Sequence, residues 1–193
     1  MNYLPLCLAL VLPGAALAQS CPTSADLDGG IRFAVDGENT EVFTRGTGPG
    51  VVKAVFTDGG GSRTQSLLAQ GIYLLEAKSL DDDDAWRSAY AFEMNADEMP
   101  LPAPGGQASF AVVMSGEGSF EQERQDYRFG AEEEKVLGGC RYAMIPVEIE
   151  YGSAESFMDI LHYLPDLGLA LFVESRYPDG ADVYDYQSVE AVE

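Results

Sequence analysis

The sequence predicts an all-β domain built from antiparallel strands, and two observations carry that prediction. Apolar and polar residues alternate with a period of two in several separate stretches, and clusters rich in Gly, Pro and Asp punctuate the chain between them. Successive side chains of a strand point to opposite faces, so such alternation marks a sheet with one buried and one wet face. Short strands, frequent turns and few helical runs place the chain in the antiparallel β class.

The chain opens on an apolar stretch, Leu4 to Leu12, followed by Pro13-Gly14 and Ala16-Leu17-Ala18. This run is too short to span a bilayer, and with a small-x-small site behind it predicts a secretory signal helix, residues 1–18, cleaved after Ala18. No Lys or Arg precedes it, so the amino terminus alone supplies the positive charge at its start. Two other readings compete. An uncleaved anchor would need ~20 apolar residues, and Pro13 and Gly14 interrupt the run well before that. Ala18-Gln19-Ser20-Cys21 could serve as a lipoprotein box with Cys21 acylated, although Gln before Ser is poor for that motif.

Residues 19–193 then form a single antiparallel β domain. Ile31, Phe33 and Val35 alternate with Arg32, Ala34 and Asp36. Trp86, Tyr90, Phe92 and Met94 share one face of a second stretch, with Arg87 and Glu93 on the other. Met99 to Gly106, rich in Pro and Gly, is the candidate for a long mobile loop. Ala143, Ile145, Val147, Ile149 and Tyr151 alternate with Glu148 and Glu150. Ser153 to Leu164 fits a helix capped by Ser153 and stopped by Pro165, or a strand that turns at Pro165-Asp166-Leu167-Gly168 into the apolar Leu169 to Val173. Strands on both sides favour the strand. The pattern yields roughly eight to ten strands in all.

Removing 18 residues from 193 leaves 175, enough for one domain with its own core. The formal net charge of -21 falls wholly on the mature chain, because the signal carries no charged side chain. A protein this acidic is repelled by nucleic acid and by anionic lipid, which excludes nucleic acid as a partner. Solubility is the plain reading of the charge, and binding of cations or of a basic partner is the sharper one. Cys7 leaves with the signal, so Cys21 and Cys140 are the two mature thiols, and export into an oxidising compartment predicts a disulfide between them. Acylation of Cys21 would leave Cys140 without a mate.

No catalytic set stands out. His162 is the single histidine, no Gly-x-Ser-x-Gly elbow exists, and a sheet histidine with a satisfied hydrogen bond accounts for it. Asp81 to Asp84, Glu132 to Glu134 and Asp26-Leu27-Asp28-Gly29 are acidic enough to suggest calcium but lack the spacing of a calcium loop, so solvated charge is the better reading. No cofactor or metal is predicted. Carboxylate pairs for hydrolysis exist in abundance among 32 acidic residues, and none is singled out. Tyrosines crowd the C-terminal third, with Tyr142, Tyr151, Tyr163, Tyr177, Tyr184 and Tyr186 interleaved with Leu169, Leu171 and Val173. They either pack across strands or line a concave apolar surface, and in the second case Tyr142, Tyr163, Tyr184 and Tyr186 are the candidate ligand contacts.

The segment Gly138-Gly139-Cys140-Arg141-Tyr142-Ala143-Met144-Ile145-Pro146-Val147, followed by Tyr163-Leu164-Pro165-Asp166-Leu167-Gly168-Leu169, resembles a pattern in exported proteobacterial proteins of unknown function. There a strand carrying Tyr and Pro-Val precedes a Tyr-x-Pro-x-Leu-Gly hairpin. The likeness covers the last third of the chain and carries no catalytic residue. It implies a periplasmic protein whose sheet is strongly curved, a half-barrel or open barrel similar to lipoprotein-carrier folds. The expectation is a non-enzymatic binding or envelope-assembly module that offers a concave apolar sheet face to a hydrophobic ligand or an envelope protein, with no membrane span once the signal is cleaved. The alternatives are a carboxylate-dependent hydrolase and a calcium-dependent surface protein.

Overall fold

The computed structural model describes residues 20–81, 85–116, 118–152 and 157–192. The predicted signal helix, Asp82 to Asp84 and Ser153 lie outside the described residues. Fourteen strands form one antiparallel system: β1 (Ile31–Ala34), β2 (Thr40–Arg45), β3 (Val51–Thr57), β4 (Arg63–Ala69), β5 (Tyr73–Ser79), β6 (Arg87–Ala91), β7 (Gln107–Gly116), β8 (Ser119–Phe129), β9 (Glu133–Leu137), β10 (Cys140–Tyr151), β11 (Met158–Leu164), β12 (Leu169–Tyr177), β13 (Gly180–Val183) and β14 (Ser188–Ala191). The all-β expectation holds, but the count exceeds the eight to ten expected. Several of the added strands, such as the wholly exposed β13, show no alternation of burial that a pattern test could register.

The hydrogen-bonded path runs β13-β12-β11-β10-β8-β7-β6-β5-β4-β3-β2-β1-β14, with β9 paired to the start of β10, and it does not close. Strong curvature follows from the connectivity. Laid flat, thirteen strands would separate the end strands by roughly 58 Å. Only residues 184–187 join β13 to β14, and such a link spans at most about 18 Å. The sheet must therefore roll until its two ends nearly meet. The link is itself bonded at both ends, Tyr184 N–H donating to the Val173 carbonyl on β12 and Gln187 N–H to the Ala34 carbonyl on β1, each at 2.9 Å. Register shifts at Leu67/Leu68 and Ile160/Leu161 add local bend.

Two apolar cores result. One gathers Ile31, Phe33 and Phe43 from the first strands with Cys140, Tyr142, Met144, Leu169, Leu171 and Val173. The other gathers Tyr73, Tyr127, Ile145, Val147, Leu161 and Tyr163. They sit on opposite faces of β10, β11 and β12, so the last long strands are buried on both sides. In β10 the buried phase switches between Met144 and Ile145 as the strand passes from one core to the other. Burying a large aliphatic or aromatic side chain contributes on the order of 1.5–3 kcal/mol. Ile31, Phe33 and Val35 are buried as their alternation requires.

The disulfide between Cys21 and Cys140 is present. Tyr142 reinforces it, its hydroxyl donating to the Pro22 carbonyl at 3.1 Å. Asp26 and Asp28 are used structurally: Asp26 accepts from the Thr23 N–H at 2.7 Å and Asp28 pairs with Arg45.

Other expectations shift. Residues 158–164 are strand, in agreement with the favoured reading. β6 ends at Ala91, and of the four residues expected on one face Trp86 and Met94 are exposed while Tyr90 and Phe92 are partly buried. Met99 to Gly106 is a pinned connection: Met99 is buried, and the Pro100 carbonyl accepts the Tyr73 hydroxyl at 2.6 Å. Tyr73 also meets Phe92, Phe110 and Tyr127 edge-on, which locks this side of the second core. Gly71 (φ +70°) ties the β4–β5 turn to the β11–β12 turn, where a Cβ would come within 2.2 Å of the Gly168 carbonyl oxygen. Only glycine fits there.

Candidate functional site

Rolling the sheet leaves a half-open cavity of about 770 Å³ along its inner face. That lies within the range of small-molecule sites, roughly 300–1,000 Å³. Its walls are of two kinds. Leu68, Leu74, Ile149, Leu161 and Phe172 supply apolar surface, drawn from β4, β5, β10, β11 and β12. Tyr90, Glu123, Gln125, Tyr127, Tyr151 and Asp159 supply a polar and aromatic wall.

The strand alternation of β8 builds much of that second wall. Glu121, Glu123, Gln125 and Tyr127 line the cavity, while Arg124, Asp126 and Arg128 lie on the other face. Arg124 pairs outside with Asp126 at 2.8 Å, and Arg128 pairs with Glu148 and Glu150. Both arginines of the strand therefore lie outside and its acids at 121 and 123 inside. Register carries the wall onward, since Gln125 faces Tyr151 on β10, and Ile149 faces Asp159 on β11.

Within this wall the polar groups bond to one another. The Tyr151 and Ser175 hydroxyls each donate to the buried Asp159 carboxylate at 2.6 Å. Tyr127 donates to Gln125 Oε1 at 2.9 Å, and Gln125 Nε2 donates to Glu123 at 2.8 Å. Burial, followed by the nearby charges of Glu123 and Asp159, raises the Tyr90 phenol. Burial also raises Tyr127 and Tyr151, with the Asp159 charge adding to both. These phenols hold their protons and serve as donors at neutral pH.

Glu41, on β2, lines another part of the cavity. It keeps contact with the cavity space but is surrounded by protein, and this desolvation raises its carboxyl from 4.5 to about 7, with the Tyr186 hydroxyl partly opposing. Tyr186 donates to Glu41 Oε2 at 2.5 Å. Glu41, Glu121, Glu123 and Asp159 thus face the cavity, and no Lys, Arg or His is among the described residues that line it.

Of the four tyrosines expected as ligand contacts, none is among those lining residues. Tyr142 belongs to the first core and Tyr163 to the second. Tyr184 packs edge-on against the lining Phe172 at 5.7 Å, and Tyr186 holds the lining Glu41, so these two brace the cavity from behind. Tyr151, from the wider tyrosine group, does line it, whereas Tyr177 is exposed and bonded to Asp182. Glu41, Glu123, Tyr90, Tyr127 and Asp159 were not singled out from the sequence. The signal for two of them was the β8 alternation, which sets Glu123 on the same face as Tyr127 and both arginines on the other.

His162 lies on the face away from the cavity, and its Nδ1 is buried without a hydrogen-bond partner, against the satisfied bond expected. Burial, aided by the charge of Lys135, lowers it to about 4. It is neutral at pH 7. Among the described residues, no group of three or more His, Cys, Asp or Glu is placed to hold a metal ion, and no helix is long and apolar enough to cross a membrane. No family model matches the chain, and no curated protein or solved structure is significantly similar to it.

Proposed function

We propose that the protein is an exported, periplasmic, non-enzymatic binding module that encloses a hydrophobic ligand inside its rolled sheet. The observation that carries this is the 770 Å³ cavity with its apolar wall, which the protein's own side chains leave unfilled. Export is supported by the signal-like amino terminus and by the Cys21–Cys140 disulfide, which belongs to an oxidising, non-cytoplasmic compartment.

A second reading, a carboxylate hydrolase, draws on Glu41, whose carboxyl near 7 suits a general acid. Its shift comes from burial, with the Tyr186 hydroxyl partly opposing, and so singles out no second carboxylate as a catalytic partner.

The test uses the protein purified from an exporting host and the neutral dye N-phenyl-1-naphthylamine. Saturable binding of one dye per chain is expected, and it should disappear in Ser66→Phe, which pushes a ring into the cavity from β4. No binding, or equal binding by a folded Ser66→Phe and a folded Leu74→Trp, would reject the proposal. Mass spectrometry of a dodecyl ester incubated with the protein separates the two readings, since a carrier returns it intact and a hydrolase cleaves it.

A further inference from the structure

The cavity has a sign as well as a size. Of the chain's 11 Lys and Arg, those that pair with carboxylates do so away from the cavity lining: Arg87 and Lys78 with Glu76, Arg124 with Asp126, Arg128 with Glu150, Arg176 with Glu174, and Arg32 with Glu190. Asp159 is different. It is buried on the cavity wall, and its partners are two neutral hydroxyls. Glu123 stands on the same wall, bonded to an amide. A buried carboxylate without a counter-charge is costly, and hydroxyl donors offset only part of that cost. A ligand bringing positive charge would offset the rest, whereas a carboxylate or phosphate headgroup would add to the repulsion.

The rings beside these acids suit the same headgroup. Tyr90, Tyr127 and Tyr151 share the wall, and Phe157 stacks on Tyr151 with centroids 4.5 Å apart. Aromatic faces attract ammonium groups by about 0.5–2 kcal/mol, more as water is excluded. Leu161 and Phe172 continue the surface away from Asp159 along β11 and β12, where an apolar tail would lie.

Resting on the cavity reading above, we infer that the ligand is an amphiphilic organic cation, its ammonium head held by Asp159, Glu123 and the adjoining tyrosine rings and its apolar body against Leu161 and Phe172. The acids select against fatty acids and other anionic amphiphiles.

Displacement of bound N-phenyl-1-naphthylamine by three probes of one chain length, dodecyltrimethylammonium, dodecanol and dodecanoate, tests this below their micelle concentrations. Because a net charge of -21 attracts any cation at long range, the titrations are run at physiological and at high salt, which screens surface charge far more than buried charge. The cation should displace the dye at a concentration at least tenfold below that of dodecanoate in both salts. Asp159→Asn and Glu123→Gln should each shrink that preference severalfold and leave dodecanol unchanged, while the exterior Glu190→Gln should leave it intact. Equal or better displacement by dodecanoate overturns the inference, as does a cation preference that vanishes at high salt or survives both cavity variants. In these outcomes the dye still binds and the cavity reading stands. Failure of the dye itself to bind defeats that reading first.

Discussion

Glu41 offers a direct reading of the cavity's electrostatics through stability. In the unfolded chain its carboxyl ionises near 4.5, and in the fold near 7. Between those values the native state holds a proton that the unfolded state has lost, so stability falls as pH rises through this window and levels off above it. The full difference corresponds to roughly 3 kcal/mol of destabilisation at pH 8. Glu41→Gln keeps the shape and can still accept the Tyr186 hydroxyl, but it never ionises. Urea unfolding of both proteins, disulfide intact, from pH 4 to 8.5 should give equal stabilities at the acid end. The gap should widen steadily above pH 4.5, with Glu41→Gln ahead by up to ~3 kcal/mol by pH 8. The general repulsion of a strongly acidic chain acts on both proteins and largely cancels in the comparison. A gap independent of pH, or one in which the variant is the less stable at pH 8, would refute the reasoning, because it would mean the ionised Glu41 is solvated or paired in the fold. Tyr186→Phe provides a companion: the hydroxyl favours the charged form, so its loss should move the upper edge of the window to higher pH.

Two other outcomes follow from the same structure. Replacing both Cys21 and Cys140 by Ser opens a loop of 119 positions and should cost ~2–5 kcal/mol, the chain-entropy limit being about 5 kcal/mol, measured as lost urea stability; a loss below the error of the extrapolation would show that the anchored amino terminus adds nothing. His162, as the single histidine, gives one ring Cε1–H signal by NMR, and that signal should stay unchanged from pH 8 to 5.5 and move with a midpoint of about 4. Its contribution to stability has the opposite sense to that of Glu41: the folded value is depressed below 6.5, so stability is lost as pH falls from 6.5 towards 4. A midpoint near 6.5 would place the ring in water.

Much of the fold could be read from local pattern. Ile31, Phe33 and Val35 declare a one-sided strand because burial on one face leaves a period of two. The pairing of Cys21 with Cys140 was legible because the sequence has three cysteines and Cys7 falls in the signal-like stretch. The cavity was harder to see. A sheet that encloses space puts polar side chains on its inner face, so Glu123, Gln125 and Asp159 look in the sequence like the wet side of an ordinary strand. The tyrosines chosen as ligand contacts stand out by number, but packing places Tyr142 and Tyr163 in closed cores and Tyr184 and Tyr186 behind the lining residues.

Residue order was therefore sufficient for class, disulfide and the faces of strands such as β1, since each depends on neighbours along the chain or on a count of thiols. Which face becomes the interior depends on how far the sheet rolls, and that is decided by contacts between residues remote in sequence. The four-residue link from β13 to β14 draws the two ends together. The switch of β10 between cores at Met144 and Ile145, and the placing of Asp159 and Glu123 on one acidic wall, accompany that rolling. No local periodicity encodes them, because they arise only when strands far apart in the chain line one cavity.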